Sequence, residues 1–273
     1  MTPRPLIYLI GGNGFVGSAY RRLFAARGMD CVLVGRDDIE RLRGTRCDVL
    51  INANGNSKKF LADRDPLFDF DASVRSVMES LVAFDAGSYV FLSSGDVYPD
   101  PSSPETTGED QAIDLARVSR YGLHKHLAEQ LVMASRRPWL VLRMGGFVGP
   151  GLKKNAVYDM LNGDPVWLSP ESRLQFIHTD HAADLVWRLV ERGVRNEVVN
   201  LGAEGLVHLG DLHREIGGDI GGEMGAGSVF REDAAVVRYE LSLEKLRRLS
   251  GTSLPSSMDD VRRFVAEHRS AAA

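Results

Sequence analysis

The sequence predicts an α/β protein, a doubly wound parallel sheet with helices on both faces, and three observations carry that prediction. Short runs rich in β-branched and other apolar residues alternate with longer stretches of helical periodicity. The runs are apolar at nearly every position, as strands covered on both faces must be. The first of them leads into Gly11-Gly12-Asn13-Gly14-Phe15-Val16-Gly17, a glycine-rich turn at the start of a helix.

Taken in order, strand Pro5–Ile10 is followed by a helix over Val16–Arg27 that turns Leu23 and Phe24 inward and stops at Gly28. Cys31–Val34 and Asp48–Ala53 are the next two strands. Tyr89–Ser93 and Trp139–Arg143 follow, separated by helical stretches at Pro66–Phe84 and Leu115–Arg136 long enough for right-handed crossovers. Beyond Gly149-Pro150-Gly151 the pattern loosens into a helix near His181–Arg192, a strand at Glu197–Leu201 and a last helix at Met258–His268. The Ala271–Ala273 tail is expected to be disordered. No internal repeat is present.

At 273 residues the chain can bury a substantial core in one large domain with a small appended lobe. A formal charge of −4 with both signs interspersed argues against nucleic acid or an acidic membrane as the partner and for a small molecule. Cys31 and Cys47 are the only cysteines, too few for a disulfide framework or a zinc site, so a reducing cytoplasm is expected. There is neither a basic head followed by a long apolar run nor an apolar stretch near 18 residues, and the protein is expected to be soluble and unprocessed.

Gly11, Gly14 and Gly17, three apart, allow a tight turn, point backbone N–H groups at an anion and let the helix pack closely on its strand. A dinucleotide is the expected ligand, with Phe15 and Val16 lining the same turn. Its identity is read at the end of the second strand, where a carboxylate suits a free ribose 2′-hydroxyl and an arginine suits a 2′-phosphate. Here Gly35 and Arg36 follow Val34, which favours NADP(H), with Asp37 and Asp38 the route by which NAD would be preferred.

Tyr121 and Lys125 lie four apart in a helical segment and so share a face; of the seven tyrosines only Tyr121 has a lysine at that offset. An ammonium at that spacing is expected to lower a phenol pKa of about 10 by roughly 1–3 units, toward the range useful for proton transfer. Strand Tyr89–Ser93 ends in Ser93-Ser94-Gly95-Asp96-Val97-Tyr98, which offers a hydroxyl beside that tyrosine.

With these motifs in place, the chain resembles the extended short-chain dehydrogenase/reductase family of nucleotide-sugar epimerases, dehydratases and reductases over nearly its whole length. The family's Gly-x-x-Gly-x-x-Gly falls on Gly11, Gly14 and Gly17; its Asn-Ala-Ala on Asn52, Ala53 and Asn54; and its Ser-Ser-x-x-Val-Tyr on Ser93 to Tyr98. Its Tyr-x-x-x-Lys is Tyr121 and Lys125. Its Arg-Pro-x-x-x-x-Gly-Pro-Gly runs from Arg143 to Gly151 with Met144 for the first proline, and its Phe-Ile-x-Val-Asp-Asp is Phe176 to His181. The resemblance implies a Rossmann-type sheet with a small C-terminal substrate-binding lobe: residues 1–150, with 176–203 returning, bind the dinucleotide, and 151–175 with 204–273 form the lobe. It implies Ser94 as the catalytic hydroxyl, Tyr121 as acid/base and Lys125 as the residue that tunes Tyr121 and holds the nicotinamide ribose. It also implies a two-fold dimer through the helices Pro66–Phe84 and Leu115–Arg136.

The departures bear on the chemistry. Ser73 stands where the family usually has an asparagine, so a water in place of the amide, or a different route for the proton, is expected. His181 replaces the second aspartate of the late motif, a position that braces the fold. A short closing lobe implies a smaller substrate or a more open pocket. Gly95 and Asp96 border the substrate, Asp96 being either a general acid, as in the sugar dehydratases, or a turn residue capping its own backbone. Lys153, Lys154 and Asn155 follow the Gly-Pro-Gly turn where a diphosphate would approach, or form a solvated loop. His178, Asp180 and His181 read as a turn and helix start rather than a metal site, and His124 and His126 as surface or interface residues. The expected function is an NADP(H)-dependent reductase of a 4-keto nucleotide sugar or similar carbonyl, with an NAD-retaining epimerase or dehydratase as the alternative.

Overall fold

The structure is a computed structural model that describes residues 4–56, 58–135, 137–218 and 228–272. Six parallel strands form the main sheet: β1 (Ile7–Ile10), β2 (Cys31–Val34), β3 (Arg46–Asn52), β4 (Asp85–Leu92), β5 (Trp139–Met144) and β6 (Glu197–Leu201), in the order β2-β1-β3-β4-β5-β6. The order in which successive strands are added reverses between β1 and β3, and in such sheets ligands bind beyond the strands' carboxyl ends at that point. All four residues of β1 are buried, Ile7 and Leu9 on one face and Tyr8 and Ile10 on the other. That is why the run reads as continuously apolar.

On the first face lie α1 (Gly17–Ala26) and, from the second half of the chain, a helix at Thr179–Glu191. Phe24 and Trp187 meet there edge to face with centroids 5.0 Å apart. On the other face Pro66–Phe70 (α2), Ser76–Ala83 (α3) and Arg120–Met133 (α4) bury Val77, Leu81, Ala128 and Val132. α1 ends where expected, with Gly28 at φ +59°.

Three expected boundaries move. The helix expected from Leu115 begins at Arg120, because the Ser119 hydroxyl caps it by accepting from Gly122 N–H at 3.1 Å; Arg136, its expected end, lies outside the described residues. The stretch Pro66–Phe84 is interrupted by a π-helical turn at Asp71–Arg75, a distortion common at functional sites. The last helix runs from Ser257 to Ala272, so the alanines expected to be disordered continue it, alanine being the best helix former; Ala273 lies outside the described residues.

Residues from the second half of the chain form a further apolar core, the small lobe, that includes Val157, Met160, Val207, Leu212, Val261 and Phe264. Within it Arg173–Leu174 pairs with Val207–His208 and with Arg238–Tyr239. His178 and His181 serve the junction. The His178 ring accepts from Asp180 N–H and so caps the helix Thr179–Glu191, and it meets Glu267 at 3.0 Å while His181 meets Asp260 at 2.6 Å, which joins the last helix to this helix start.

Candidate active site

The glycine turn is built as a cradle. Gly11 has φ +78°, and a Cβ there would lie 2.8 Å from the Ala53 backbone; a Cβ on Gly17 would run into the Gly11 carbonyl. Gly14 N–H closes the turn onto Gly11 O at 2.9 Å. The first turn of α1 carries neither a side-chain cap nor an acidic residue, and although Ser18 and Ala19 N–H bond back to Gly14 O and Val16 O, the helix start keeps the positive end of its dipole turned to an anion. Phe15 and Val16 are half-buried beside it, the Phe15 ring edge-on to Phe147. These residues fit the pyrophosphate of a dinucleotide.

Across from the cradle, Asn52 is a bracing residue. Its amide donates to Tyr89 Oη at 2.8 Å and Ser80 Oγ at 3.3 Å, and its carbonyl accepts from Asn54 N–H, which fixes Ala53 against Gly11 and leaves Asn54 exposed at the strand end. At the end of β2, Asp38 accepts from Gly35 N–H at 2.9 Å and pairs with Arg41 at 2.6 Å. That carboxylate is engaged, while Arg36 is exposed and, among the described residues, no hydrogen bond or ion pair holds its guanidinium.

Ser94, Gly95, Asp96, Tyr121 and Lys125 come together at the carboxyl end of β4 and the first turns of α4. Ser94 Oγ donates to Asp96 Oδ2 at 3.0 Å and accepts from Asp96 N–H at 3.2 Å. The turn is capped by the Ser94 hydroxyl rather than by the Asp96 carboxylate, which instead faces Ser94 and Lys59 at the site. Lys125 Nζ lies against Gly55, donates to Leu92 O at 3.3 Å and sits 5.3 Å from the Phe91 ring. Burial brings its pKa down to about 8, opposed by the charges of Asp69, Glu129 and Asp96.

Tyr121 departs from expectation. Burial raises its pKa above the ordinary phenol value, Asp96 and Asp69 push the same way, and only Ser94 acts in the other direction. The cost of desolvating a phenolate sets the direction, and the lysine one helical turn along is not among the groups that oppose it. The resting phenol is therefore protonated.

Several neighbours were not visible in the sequence motifs. His124, expected at the surface, is 8 % exposed and meets Asp69 Oδ2 at 2.6 Å; His126, also half-buried, meets Glu129 at 3.3 Å. The His124 ring meets a carboxylate brought by α2, and the His126 ring one from its own helix three residues along. Lys59 pairs with Asp96 at 2.6 Å and sits 5.9 Å from the Tyr239 ring. Tyr239 arrives from the small lobe, its hydroxyl against Gly95 in space that a Cβ would fill. Ser73, in the π-turn, has a buried hydroxyl with no hydrogen-bond partner, at the position where an asparagine was expected.

On the lobe side, Lys153 and Lys154 are exposed. Asn155 is occupied structurally: its carbonyl caps the helix Ala156–Asn162 through Tyr158 N–H and its amide donates to Phe147 O, both at 2.9 Å. The side chain expected to meet substrate thus holds the loop that carries the lysines.

A model of the NAD dependent epimerase/dehydratase family matches residues 7–202. A search of the curated proteins finds no match. Among solved structures, the fold is similar to a UDP-galactose 4-epimerase (20 % identity, 97 % of this chain and 99 % of that one, TM-score 0.77). It is also similar to TunA, an NAD-dependent NDP-hexosamine 5,6-dehydratase of tunicamycin biosynthesis (17 %, 98 % of each chain, 0.80). A third is RMD from Pseudomonas aeruginosa complexed with NADPH (18 %, 97 % and 99 %, 0.78).

Proposed function

Because the chain belongs to the NAD-dependent epimerase/dehydratase family, we propose that it is an NADP(H)-dependent reductase of a 4-keto nucleotide sugar or a similar carbonyl. The observation that carries this reading is the gathering of Ser94, Tyr121 and Lys125 at the carboxyl end of β4, where burial favours the Tyr121 phenol over its anion and so a proton donor for an oxygen that gains charge. A bound nicotinamide supplies hydride exchange with the substrate carbon. Tyr121 gives the proton to the substrate oxygen, Ser94 stabilises that oxygen, and Lys125 holds the nicotinamide ribose as a cation. Gly11, Gly14 and Gly17 receive the pyrophosphate, and Arg36, which has no partner among the described residues, receives the 2′-phosphate. Lys153, on the rim beyond the Gly-Pro-Gly turn, faces an anionic substrate group.

One observation favours the second reading, an NAD-retaining epimerase or dehydratase: Asp96 accepts directly from Ser94 and so brings a carboxylate to the reacting centre. Two measurements separate them. The reductase reading expects protein that purifies free of dinucleotide and turns over with NADPH, and Arg36→Ala weakens NADPH by tenfold or more while sparing NADH. Tightly retained NAD, or an Arg36→Ala variant that treats both alike, replaces it with the second reading.

A dimer fits the same picture. Leu67 and Phe68 on α2 and Met78 and Val82 on α3 are exposed apolar side chains on the helices expected to pair. No described helix is long and apolar enough to cross a membrane, and Cys31 and Cys47 are free thiols, in keeping with a reducing compartment.

A further inference from the structure

A proton given up by Tyr121 has to be returned before the next turnover, and burial makes the phenolate left behind strongly basic. Among the described residues, the lysine side of the site offers no side-chain path for that proton. Lys125 Nζ donates to the main-chain carbonyl of Leu92 at 3.3 Å, and the buried Ser73 hydroxyl has no hydrogen-bond partner.

On the serine side a hydrogen-bonded row leads outward. Tyr121 is hydrogen-bonded to Ser94, and Gly122 beside it lets the first turn of α4 lie on the Asp96 carbonyl, where a Cβ would collide. Ser94 Oγ donates to Asp96 Oδ2 at 3.0 Å. Asp96 in turn receives the Lys59 ammonium on both oxygens, at 2.8 and 2.6 Å. Exposure rises along the row, from 8 % for Ser94 to 16 % for the Asp96 side chain and 62 % for that of Lys59. Lys59 is anchored at its outer end. It precedes the helix Phe60–Arg64, whose Ala62 and Asp63 carbonyls both accept from Arg120, the residue before Tyr121, at 3.3 Å.

We infer that Ser94, Asp96 and Lys59 form the proton-return path of Tyr121, with Asp96 and Lys59 acting through Ser94 rather than on the substrate. The inference rests on the assignment of Tyr121 as proton donor. Once the phenol has protonated the substrate oxygen, the Ser94 hydroxyl turns from Asp96 to the phenolate, as a hydroxyl rotor can. The Ser94 O–H bond breaks as the Tyr121 O–H forms. Ser94 Oγ takes its new proton from Asp96, which takes one from the Lys59 ammonium, and the Lys59 amine takes one from water. No electrons move along the row. One solvent proton enters for each hydride delivered, which is what reduction of a carbonyl by NADPH consumes.

Exchange of the Tyr121 hydroxyl with solvent, read from the deuterium isotope shift on ζ-¹³C-tyrosine in mixed H₂O and D₂O, tests this path in the full chain without substrate or dinucleotide. The chain has seven tyrosines, and Tyr121 is assigned by its loss in Tyr121→Phe. Asp96→Asn keeps an acceptor for Ser94 but cannot take up a proton, and Lys59→Arg keeps the ion pair on a cation that does not release one. Each variant is expected to slow the exchange by about tenfold or more, and added formate, a small proton carrier, restores it in both. Tyr20 and Tyr89, fully buried elsewhere in the core, keep their wild-type exchange and report the fold. An ion pair that served structure alone would survive Lys59→Arg. Wild-type exchange in either variant therefore overturns the inference, and so does a slowed exchange that formate leaves unrestored. A failure here leaves the proposed reduction standing, while full turnover by Tyr121→Phe removes the donor assignment and leaves the exchange rates as they are.

Discussion

Arg143 holds Glu129 with two arms of its guanidinium, Nε to Oε1 at 3.1 Å and Nη2 to Oε2 at 2.9 Å, with the carboxylate side chain fully buried and the arginine side chain 4 % exposed. The pair ties β5 to α4 directly beneath the reacting turn. Ser93 Oγ donates to the same carboxylate at 2.6 Å, and the third arm of Arg143 reaches Tyr98 Oη at 3.0 Å. Tyr98 in turn donates to Asn200 Oδ1 on β6 at 2.9 Å, and Asn200 donates to Thr107 O and Ser242 O. Ser94 is thus flanked by two residues locked into one buried network.

Glu129→Ala leaves Arg143 charged, buried and unpaired, and is expected to cost about 3–5 kcal/mol of stability. Urea denaturation of the variant measures this directly. A denaturation midpoint equal to the wild type would mean that the network contributes nothing net.

Tyr121→Phe removes the proton donor and keeps the ring. Turnover is expected to fall by about 10²–10⁴-fold, with dinucleotide affinity nearly unchanged, as read by steady-state kinetics and a binding titration. A variant as active as wild type would strip Tyr121 of its role.

Lys125 sets an alkaline limit. Its pKa is depressed by burial from 10.5 to about 8, so above that pH the ammonium is lost and activity is expected to decline with a midpoint near 8. Stability moves the opposite way. Between about 8 and 10.5 the unfolded chain binds this proton and the folded chain does not, so this group's contribution to stability rises with pH across that window. Lys125→Met removes both effects, and an unchanged pH–rate profile in an active variant would contradict the assignment.

Gly95→Ala places a methyl where the Tyr239 hydroxyl and the Leu241 side chain already sit. The turn carrying Ser94 must then shift, and a displacement near 1 Å at a reacting group costs about 10²-fold in rate. The expected result is a variant with wild-type circular dichroism and strongly reduced kcat; full activity would show that Tyr239 gives way freely.

Much of the site was readable because it is local. The spacing of Gly11, Gly14 and Gly17, the four-residue offset of Tyr121 and Lys125 and the continuously apolar strands are written within single turns and strands, where backbone geometry alone fixes which side chains share a face. The placement of Ser94 beside Tyr121 was implied by the resemblance to the family, whereas the strand order came from the structure. Tertiary structure alone decided the electrostatics. Asp69 and His124 are 55 residues apart and Tyr98 and Asn200 are 102 apart, and no periodicity in the chain announces that either pair will meet. The direction of the Tyr121 pKa reversed for the same reason. An adjacent lysine is visible in a sequence, whereas the loss of water around a phenol depends on every element that closes over it.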